Sequence, residues 1–304
     1  MGEAAALIAA FTWSATSVAM AQLSVRTTPV AMSALRLSVA SLLLPFVLLA
    51  SGTVGELGSA SALAIFSMVG SGLLAYTIGD TVYIRALSQV GIQRAFPIAM
   101  SLFILLSVAG GVLLLDEPFR WTQAAGALLT AVGISLIVRS HAQAAEGVLD
   151  AAGVATGARR QHLGPQAYVL LLIVGVTWAG ATLWLAAGRG DLGAIPASAM
   201  RTPAGAVAML TFAMVTAPAD LARPFLDRRQ LAGIVGVGVM GTLFGSLLYV
   251  YAVGEAGAAR TTILSAASPL MALPLSVLVL KEPFTRAVAA GTAVCVAGIV
   301  LVVA

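Results

Sequence analysis

The sequence predicts an all-α integral membrane protein with ten transmembrane helices, arranged as two inverted five-helix repeats. Three observations lead to this fold class. Apolar residues make up 60% of the 304-residue chain and charged residues only 9%, whereas a soluble domain is about one quarter charged. The mean hydropathy is +1.02, and the apolar residues fall in long uncharged runs. The two halves of the chain also resemble each other along their length.

Ten apolar segments approach the roughly 20 residues that a helix needs to cross about 30 Å of hydrocarbon. Only helices or closed barrels satisfy the backbone within lipid, so runs of this length predict helices. The connections between them are short and hold turn and cap residues. The predicted spans are 4–23, 30–50, 61–87, 92–115, 119–138, 167–187, 195–217, 230–253, 261–280 and 286–303.

The chain divides into a first repeat at 1–138, a linker at 139–166 and a second repeat at 167–304. The linker is rich in Ala and Gly and holds both histidines, which predicts an extramembrane connection.

The start of the chain has some features of a signal peptide. However, it carries Glu3 and no early Lys or Arg, whereas a signal peptide begins with basic residues. We therefore expect the first segment to be retained as a helix.

The repeat aligns rare residues at an offset of 165 positions near both ends and 166 positions in the middle. Apolar composition produces chance matches of Ala, Leu and Val, but not of Trp, Arg and Tyr along a whole chain. Five spans per repeat predict that the second copy enters the membrane in the opposite sense, as in many secondary transporters. The matched pairs include Trp13 with Trp178, Arg36 with Arg201, Glu117-Pro118-Phe119 with Glu282-Pro283-Phe284, Gly72 with Gly238, Gly79 with Gly245, and Tyr83 with Tyr249.

Three motifs carry a family resemblance. Each repeat has an arginine early in its second helix, Leu-x-Glu-Pro-Phe before its last helix (115–119 and 280–284), and an Ala-Gly pair followed by Gly within that helix (125–133 and 290–298). With these motifs the chain resembles the EamA branch of the drug/metabolite transporter superfamily over nearly its whole length. The resemblance implies a multi-pass carrier that exports or exchanges amino acids or other small polar solutes. It leaves the substrate open.

Asp80 is the most informative ionisable residue within a predicted span. A charged group there costs roughly 2.5–3.5 kcal/mol on insertion scales, so it needs a structural or functional reason. Its repeat equivalent is Ser246, so the repeat does not explain it. Asp80 is either a coupling carboxylate or partner for a substrate amine, or it pairs with Arg36 or Arg85.

The repeated arginines suggest two ion pairs between the halves. Inversion would bring Arg36 toward Glu282 and Arg201 toward Glu117, with each acid also lying at a helix N-terminus. A competing interpretation follows from the repeat: because Ser246 stands where the first half has an aspartate, Arg201 would contact a substrate carboxylate.

Several aromatic residues are candidates for a central cavity. Tryptophans of an interfacial belt lie near helix ends, but two here lie near the middle of predicted spans, and simple packing is the alternative. Tyr76, Asp80 and Tyr83 share one helix face. The predicted substrate-binding set is Asp80, Tyr76, Tyr83, Trp13, Trp178, Tyr249 and Arg201.

Other classes of function fit the sequence less well. Both histidines lie in the linker, and Asp80 has no second intramembrane aspartate, so neither a Ser–His protease nor an aspartyl dyad is predicted. We expect no enzyme, cofactor, metal site or nucleic-acid partner. The predicted partners are a small-molecule substrate and the lipid bilayer. A channel for small solutes is the alternative, although no ring of charge or filter-like sequence is apparent.

The predicted location is a bacterial inner membrane, with both termini on one side. Loops on the side of the termini hold Arg120, Arg189 and Arg260, and the opposite side holds most other bases. The positive-inside rule therefore places the termini outside the cytoplasm, whereas the family resemblance places them inside.

Overall fold

A computed structural model describes residues 1–23, 26–90, 92–151, 165–268, 270–271 and 286–303. These residues are almost entirely helical, and no β-strand occurs among them. The helices of the first half are α1 (Gly2–Leu23), α2 (Pro29–Ser51), α3 (Val54–Ser59), α4 (Ala62–Gly72), α5 (Asp80–Val90), α6 (Ile92–Leu114) and α7 (Trp121–Ala151).

The described helices of the second half follow a similar order. They are α8 (Pro165–Gly188), α9 (Ala194–Thr216), α10 (Pro218–Ala222), α11 (Arg228–Val237), α12 (Ser246–Ala256), α13 (Ala258–Ser265) and α14 (Arg286–Val303). A 3₁₀ turn, Arg223–Leu226, separates α10 from α11.

Each half contains one long rod with a π-helical segment at its middle. Leu73–Gly79 joins α4 to α5, and Gly238–Gly245 joins α11 to α12. We call residues 62–90 the first rod and residues 228–256 the second rod. The two π segments occupy equivalent positions of the repeat. Such segments are frequent at functional sites.

Four described helical stretches are long and apolar enough to cross a membrane: Pro29–Ser51, Ala62–Ala86, Pro165–Gly188 and Arg228–Ala256. A fifth is added if α9 is counted together with the bent segment Pro218–Leu226. The count of ten spans therefore stays a prediction. α7 continues to Ala151, beyond the end of the predicted span at residue 138 and through the first part of the predicted linker. The alanine-rich sequence there has high helix propensity.

The outer surface of the bundle carries apolar side chains. On α2, Leu42, Phe46 and Leu49 are spaced along one helix face, and all three are exposed. A contiguous exposed apolar stripe of this kind is unsuited to water and suited to lipid. The interior is filled largely by Ala, small polar residues and a few Leu, Ile and Met side chains.

The halves pack against each other reciprocally. α1 lies along the second rod and α8 along the first. A Cβ added to Gly245 would lie 2.7 Å from Trp13 Nε1, and one added to Gly79 would lie 2.7 Å from Trp178 Nε1. Gly79 and Gly245 are equivalent in the repeat, and each therefore makes room for the equivalent tryptophan of the other half.

The last helices of the halves, α7 and α14, pack through glycines at backbone contact. A Cβ on Gly126 would lie 2.7 Å from the Gly298 carbonyl oxygen, and one on Gly298 would lie 2.8 Å from the Gly126 oxygen. Gly133 and Gly291 face each other similarly, at 2.7 and 3.0 Å. Small residues permit this close approach of helices in lipid, so the repeated Gly positions act as an inter-half contact.

Candidate functional site

Both rods cross a helix of the other half at the repeated arginine. A Cβ on Gly72 would lie only 2.0 Å from the Arg201 carbonyl oxygen on α9. A Cβ on Gly238 would lie 3.0 Å from the Arg36 oxygen and 2.8 Å from Val39 Cβ on α2. Glycine is required at these crossings because any side chain would separate the helices. The crossings bring both arginines to the π segments.

In the first half, Arg36 forms an ion pair with Asp80. The Arg36 terminal nitrogen lies 3.0 Å from Asp80 Oδ2, and the two side chains remain 22% and 17% exposed. The Trp178 indole lies beside Gly79, the residue that precedes Asp80. Arg36 is one of the two arginines that the sequence analysis named as possible partners of Asp80. The predicted partner Glu282 lies outside the described residues.

In the second half, Arg201 meets hydroxyl groups instead of a carboxylate. The residue is only 4% exposed. Its Nε donates to Ser71 Oγ at 2.9 Å, and one terminal nitrogen donates to the Tyr76 hydroxyl at 2.8 Å. The guanidinium carbon also lies 4.7 Å from the centre of the Tyr76 ring, within cation–π range. Within the described part of the chain, no acidic oxygen lies within 4 Å of Arg201.

The Arg201 network ends at the equivalent of Asp80. The Tyr76 hydroxyl donates to Ser246 Oγ at 3.2 Å, and Ser246 is the repeat equivalent of Asp80. Ser71 in turn donates to the Ala181 carbonyl at 2.6 Å. The sequence did not indicate Ser71, since nothing distinguishes a lone serine on an apolar helix. The centre therefore contains one neutralised arginine and one held by neutral hydroxyls.

The predicted aromatic residues form two equivalent pairs beside this centre. The rings of Trp13 and Tyr249 lie 5.4 Å apart, and those of Trp178 and Tyr83 lie 5.2 Å apart. Each pair joins one half to the other. Tyr249 is buried and its hydroxyl lies 2.8 Å from Thr182 Oγ1, so it packs within the protein. The other three rings retain accessible surface.

An apolar groove outlined by described residues lies elsewhere, toward the start of α9. Its volume is about 330 Å³. None of the residues of the predicted substrate-binding set lines this groove. The lining residues are Thr53, residues 193–196, Phe244, Leu247, Leu248 and Tyr251.

Comparison with known proteins identifies the family. The sequence model of the EamA-like transporter family matches residues 1–139 and 165–304, which is most of the chain and both repeats. This chain belongs to the EamA-like transporter family. It is accordingly a multi-pass membrane protein of a family of transporters, as the sequence motifs indicated.

The fold of this EamA-like protein has a solved counterpart. A structure described as "Crystal structure of protein" is similar with a TM-score of 0.77, over 99% of this chain and 96% of the other, at 17% identity. At that identity the likeness shows the fold alone. No curated protein sequence matches this one.

The Glu-Pro-Phe motif of the EamA-like protein joins the halves away from the arginines. Glu117 accepts hydrogen bonds from the backbone N–H groups of Ala258 and Ala259, at 2.6 and 3.2 Å. Its carboxylate therefore lies at the positive N-terminus of α13, a helix of the other half. Asp116, with φ of 53°, makes the turn that directs it there.

The structure does not bring Arg201 and Glu117 together, so this predicted pair is wrong. Arg201 is the eighth residue of α9, about 10 Å below the start of that helix at 1.5 Å per residue. Glu117 lies in the loop between α6 and α7. The inversion argument assigned Arg201 and Glu117 to the same side of the bundle but ignored this difference in depth.

Further polar contacts join the halves at the bundle ends, and sequence reasoning missed them. Glu3 pairs with Arg260, and Glu56 accepts from the Gly193 backbone N–H at 2.7 Å. At the opposite end, the Arg26 terminal nitrogen lies 3.1 Å from Asp227 Oδ2, and both side chains are exposed. Isolated charges in loops and near helix ends carry no periodic signal, so their partners are not apparent from the sequence.

Proposed function

We propose that this EamA-like protein is a secondary transporter that carries a small polar metabolite by alternating access. The observation that supports this function best is the polar centre where the two halves meet. There Arg36 and Asp80 of one half, and Arg201 with Tyr76 and Ser246, lie at the two equivalent π segments.

The energetic cost of this centre supports a role in transport. Each charged group within a span costs roughly 2.5–3.5 kcal/mol on insertion scales, and groups of this kind usually mark a substrate or ion pathway. The Arg36 and Asp80 side chains retain accessible surface although Asp80 lies near the middle of the first rod. This accessible surface would let a solute or an ion reach the pair.

The reciprocal packing supports an alternating mechanism. Each half presents the same tryptophan, glycine and arginine to the other half, so an exchange of conformations between the halves would preserve these contacts. If the second repeat enters the membrane in the opposite sense, that exchange would expose the centre to the other side. We propose this inverted arrangement, and the bacterial inner membrane as its location.

Reconstitution into liposomes tests transport against the channel alternative. Liposomes containing the protein would be loaded with one of a panel of unlabelled amino acids and organic acids, and uptake of the same labelled compound would be followed. A carrier predicts saturable uptake that the internal unlabelled compound accelerates by counterflow. Uptake that rises linearly with concentration, without counterflow, would instead favour a pore.

A matched variant separates specific transport from leakage. Phe46→Ala changes an exposed, lipid-facing side chain and should leave counterflow intact. Arg36→Gln combined with Asp80→Asn keeps polar side chains at both positions but removes both charges, and should reduce counterflow at least tenfold. Equal counterflow by wild type and the double variant would place the pathway elsewhere.

A further inference from the structure

We propose that Arg201 binds a carboxylate of the transported solute, so that the substrates of this protein are small carboxylate anions or zwitterions. This inference rests on the proposed transport function and deepens it. It follows from three properties of Arg201 in the second half. Among the described residues, no acidic side chain pairs with it and part of its hydrogen-bonding capacity is unused. Its counterpart in the first half pairs with a carboxylate.

The first property is an unbalanced buried charge. Arg201 is 4% exposed, and its partners in the described part of the chain are the neutral hydroxyls of Ser71 and Tyr76. A guanidinium is always protonated at accessible pH, so it cannot escape the cost of burial by becoming neutral. A buried charge without a counter-charge is strongly destabilising. An anion entering the centre would remove this penalty.

The second property is the set of donors that stays available. A guanidinium carries five N–H groups in a planar fork, and the contacts of Arg201 use its Nε and one terminal nitrogen. The other terminal nitrogen makes no hydrogen bond within the described residues. Ser246 accepts from Tyr76, and its own hydroxyl hydrogen has no acceptor among them. These donors suit a carboxylate, which binds arginine through two parallel hydrogen bonds.

The third property is the comparison with the first half. There the repeated arginine, Arg36, is neutralised by the carboxylate of Asp80. The second half has Ser246 at the equivalent position, which is smaller than aspartate and uncharged. The missing group is therefore a single carboxylate next to Arg201 and Ser246. A carboxylate of the substrate supplies one negative charge of the right shape, whereas a phosphate would bring excess charge and a neutral solute would bring none.

Thermal unfolding of the purified protein tests the binding. The probes are succinate, lactate and leucine, each compared with its primary amide, together with glycerol 3-phosphate. We expect at least one of the three acids to raise the unfolding temperature and its amide to have no effect, because only ligands that bind the folded state stabilise it. Stabilisation by the amides alone, by glycerol 3-phosphate alone, or by no compound would overturn the proposal.

Ser246→Asp gives a sharper test because it keeps Arg201 in place. The new carboxylate would pair with Arg201 as Asp80 pairs with Arg36, and so compete with the substrate. We expect the apparent affinity for the stabilising acid to fall at least tenfold, while the protein without ligand unfolds at the same or a higher temperature. Ser246→Asn, of matched size but neutral, should lower the affinity much less. Equal affinities of the two variants would contradict the proposal.

The outcomes also separate this inference from the proposed transport function. Counterflow of an amide, with undiminished activity in Ser246→Asp, would leave the carrier function intact and refute carboxylate recognition. Acid-dependent stabilisation that Ser246→Asp abolishes, without counterflow of the acid in liposomes, would support the binding site and refute the carrier function.

Discussion

The two repeated arginines occupy equivalent positions but have different surroundings. Arg36 lies against a carboxylate of its own half, Asp80, at 3.0 Å. Arg201 reaches across to the other half, where Ser71 and Tyr76 accept its hydrogen bonds. The Tyr76 hydroxyl in turn donates a hydrogen bond to Ser246. The first arginine is neutralised by Asp80. The second is hydrogen-bonded but has no acidic partner within 4 Å in the described part of the chain.

The packing around these arginines is, by contrast, nearly symmetrical. Each lies where a rod of the other half crosses its helix at a glycine, Gly238 or Gly72, and each rod carries a π segment there. The repeat has therefore preserved the contacts on which relative movement of the halves would depend. The two halves differ there in the charge of one side chain, because Ser246 stands where the first half has Asp80.

The largest effect is expected from breaking the first-half ion pair. Asp80→Asn would leave Arg36 partly buried without a counter-charge. Removal of one partner of a buried ion pair lowers the free energy of unfolding by about 3 kcal/mol. Chemical unfolding in detergent measures this cost. Adding Arg36→Gln should recover part of it, and the matched second-half change, Ser246→Asn, should cost much less. Equal costs for Asp80→Asn and Ser246→Asn would contradict the difference between the halves.

A second effect compares the two glycine crossings. Gly72→Ala places a Cβ 2.0 Å from a backbone oxygen, whereas Gly238→Ala places one 3.0 Å from the equivalent oxygen and 2.8 Å from Val39 Cβ. Overpacking costs about 1–3 kcal/mol, and we expect Gly72→Ala to exceed Gly238→Ala. The measurement is the unfolding temperature in detergent.

Gly236→Ala is the control for these crossings. No atom lies within 4 Å of a Cβ at Gly236, and alanine gains about 0.8–1.0 kcal/mol over glycine within a helix. This variant should therefore be at least as stable as wild type. A loss of stability as large as that of Gly72→Ala would show that the crossing geometry is wrong.

A third, smaller effect concerns the contact between Glu117 and α13. Glu117→Gln keeps a hydrogen-bond acceptor for Ala258 and Ala259 but removes the charge at the helix N-terminus, which contributes about 0.3–1 kcal/mol. We expect a loss of that size in unfolding free energy. Asp116→Asn removes a neighbouring exposed charge and should have no measurable effect. If Asp116→Asn destabilises as much, the contribution is not specific to the α13 terminus.

The smallest effect is a pH dependence outside the membrane spans. Backbone N–H groups of Gln230 and Arg229 lower the pKa of the exposed Asp227 carboxyl, and Arg26 lowers it further. A lowered pKa in the folded state stabilises the protein above the ordinary aspartate value of about 3.9, and this stabilisation is lost as the pH falls through the lowered pKa. The unfolding temperature should thus decrease less steeply below about pH 4 in Asp227→Asn.

Arg26→Gln separates the two causes of this pKa shift. Because the backbone contacts of Asp227 contribute more than Arg26, this variant should retain most of the wild-type pH dependence. A profile as flat as that of Asp227→Asn would instead assign the shift to the ion pair.

The parts of the structure that the sequence predicted follow from periodic or repeated patterns. Apolar segments predict helices because the backbone must be satisfied within lipid. The position of Trp13 and Trp178 near the middle of predicted spans suggested that both face the bundle interior, and the structure places both against the opposite half. The equivalence of Asp80 and Ser246 also suggested where the two halves would differ in charge.

The parts that the sequence did not predict depend on depth and on contacts between distant segments. Glu117 was expected near Arg201 because both belong to the same side of an inverted pair, but pairing requires a common depth as well. Ser71 accepts a hydrogen bond from Arg201 only because Gly72 brings α4 and α9 together. Such contacts are set by three-dimensional packing, and a single sequence contains no signal for them.

The most direct test of alternating access is the accessibility of the centre from each side of the membrane. The chain has one cysteine, Cys295, which is buried, so Cys295→Ser provides a background for Ser246→Cys. A membrane-impermeant maleimide would be applied to vesicles of each orientation. The account predicts that Ser246→Cys is modified from both sides. Modification from only one side, or from neither, would contradict it.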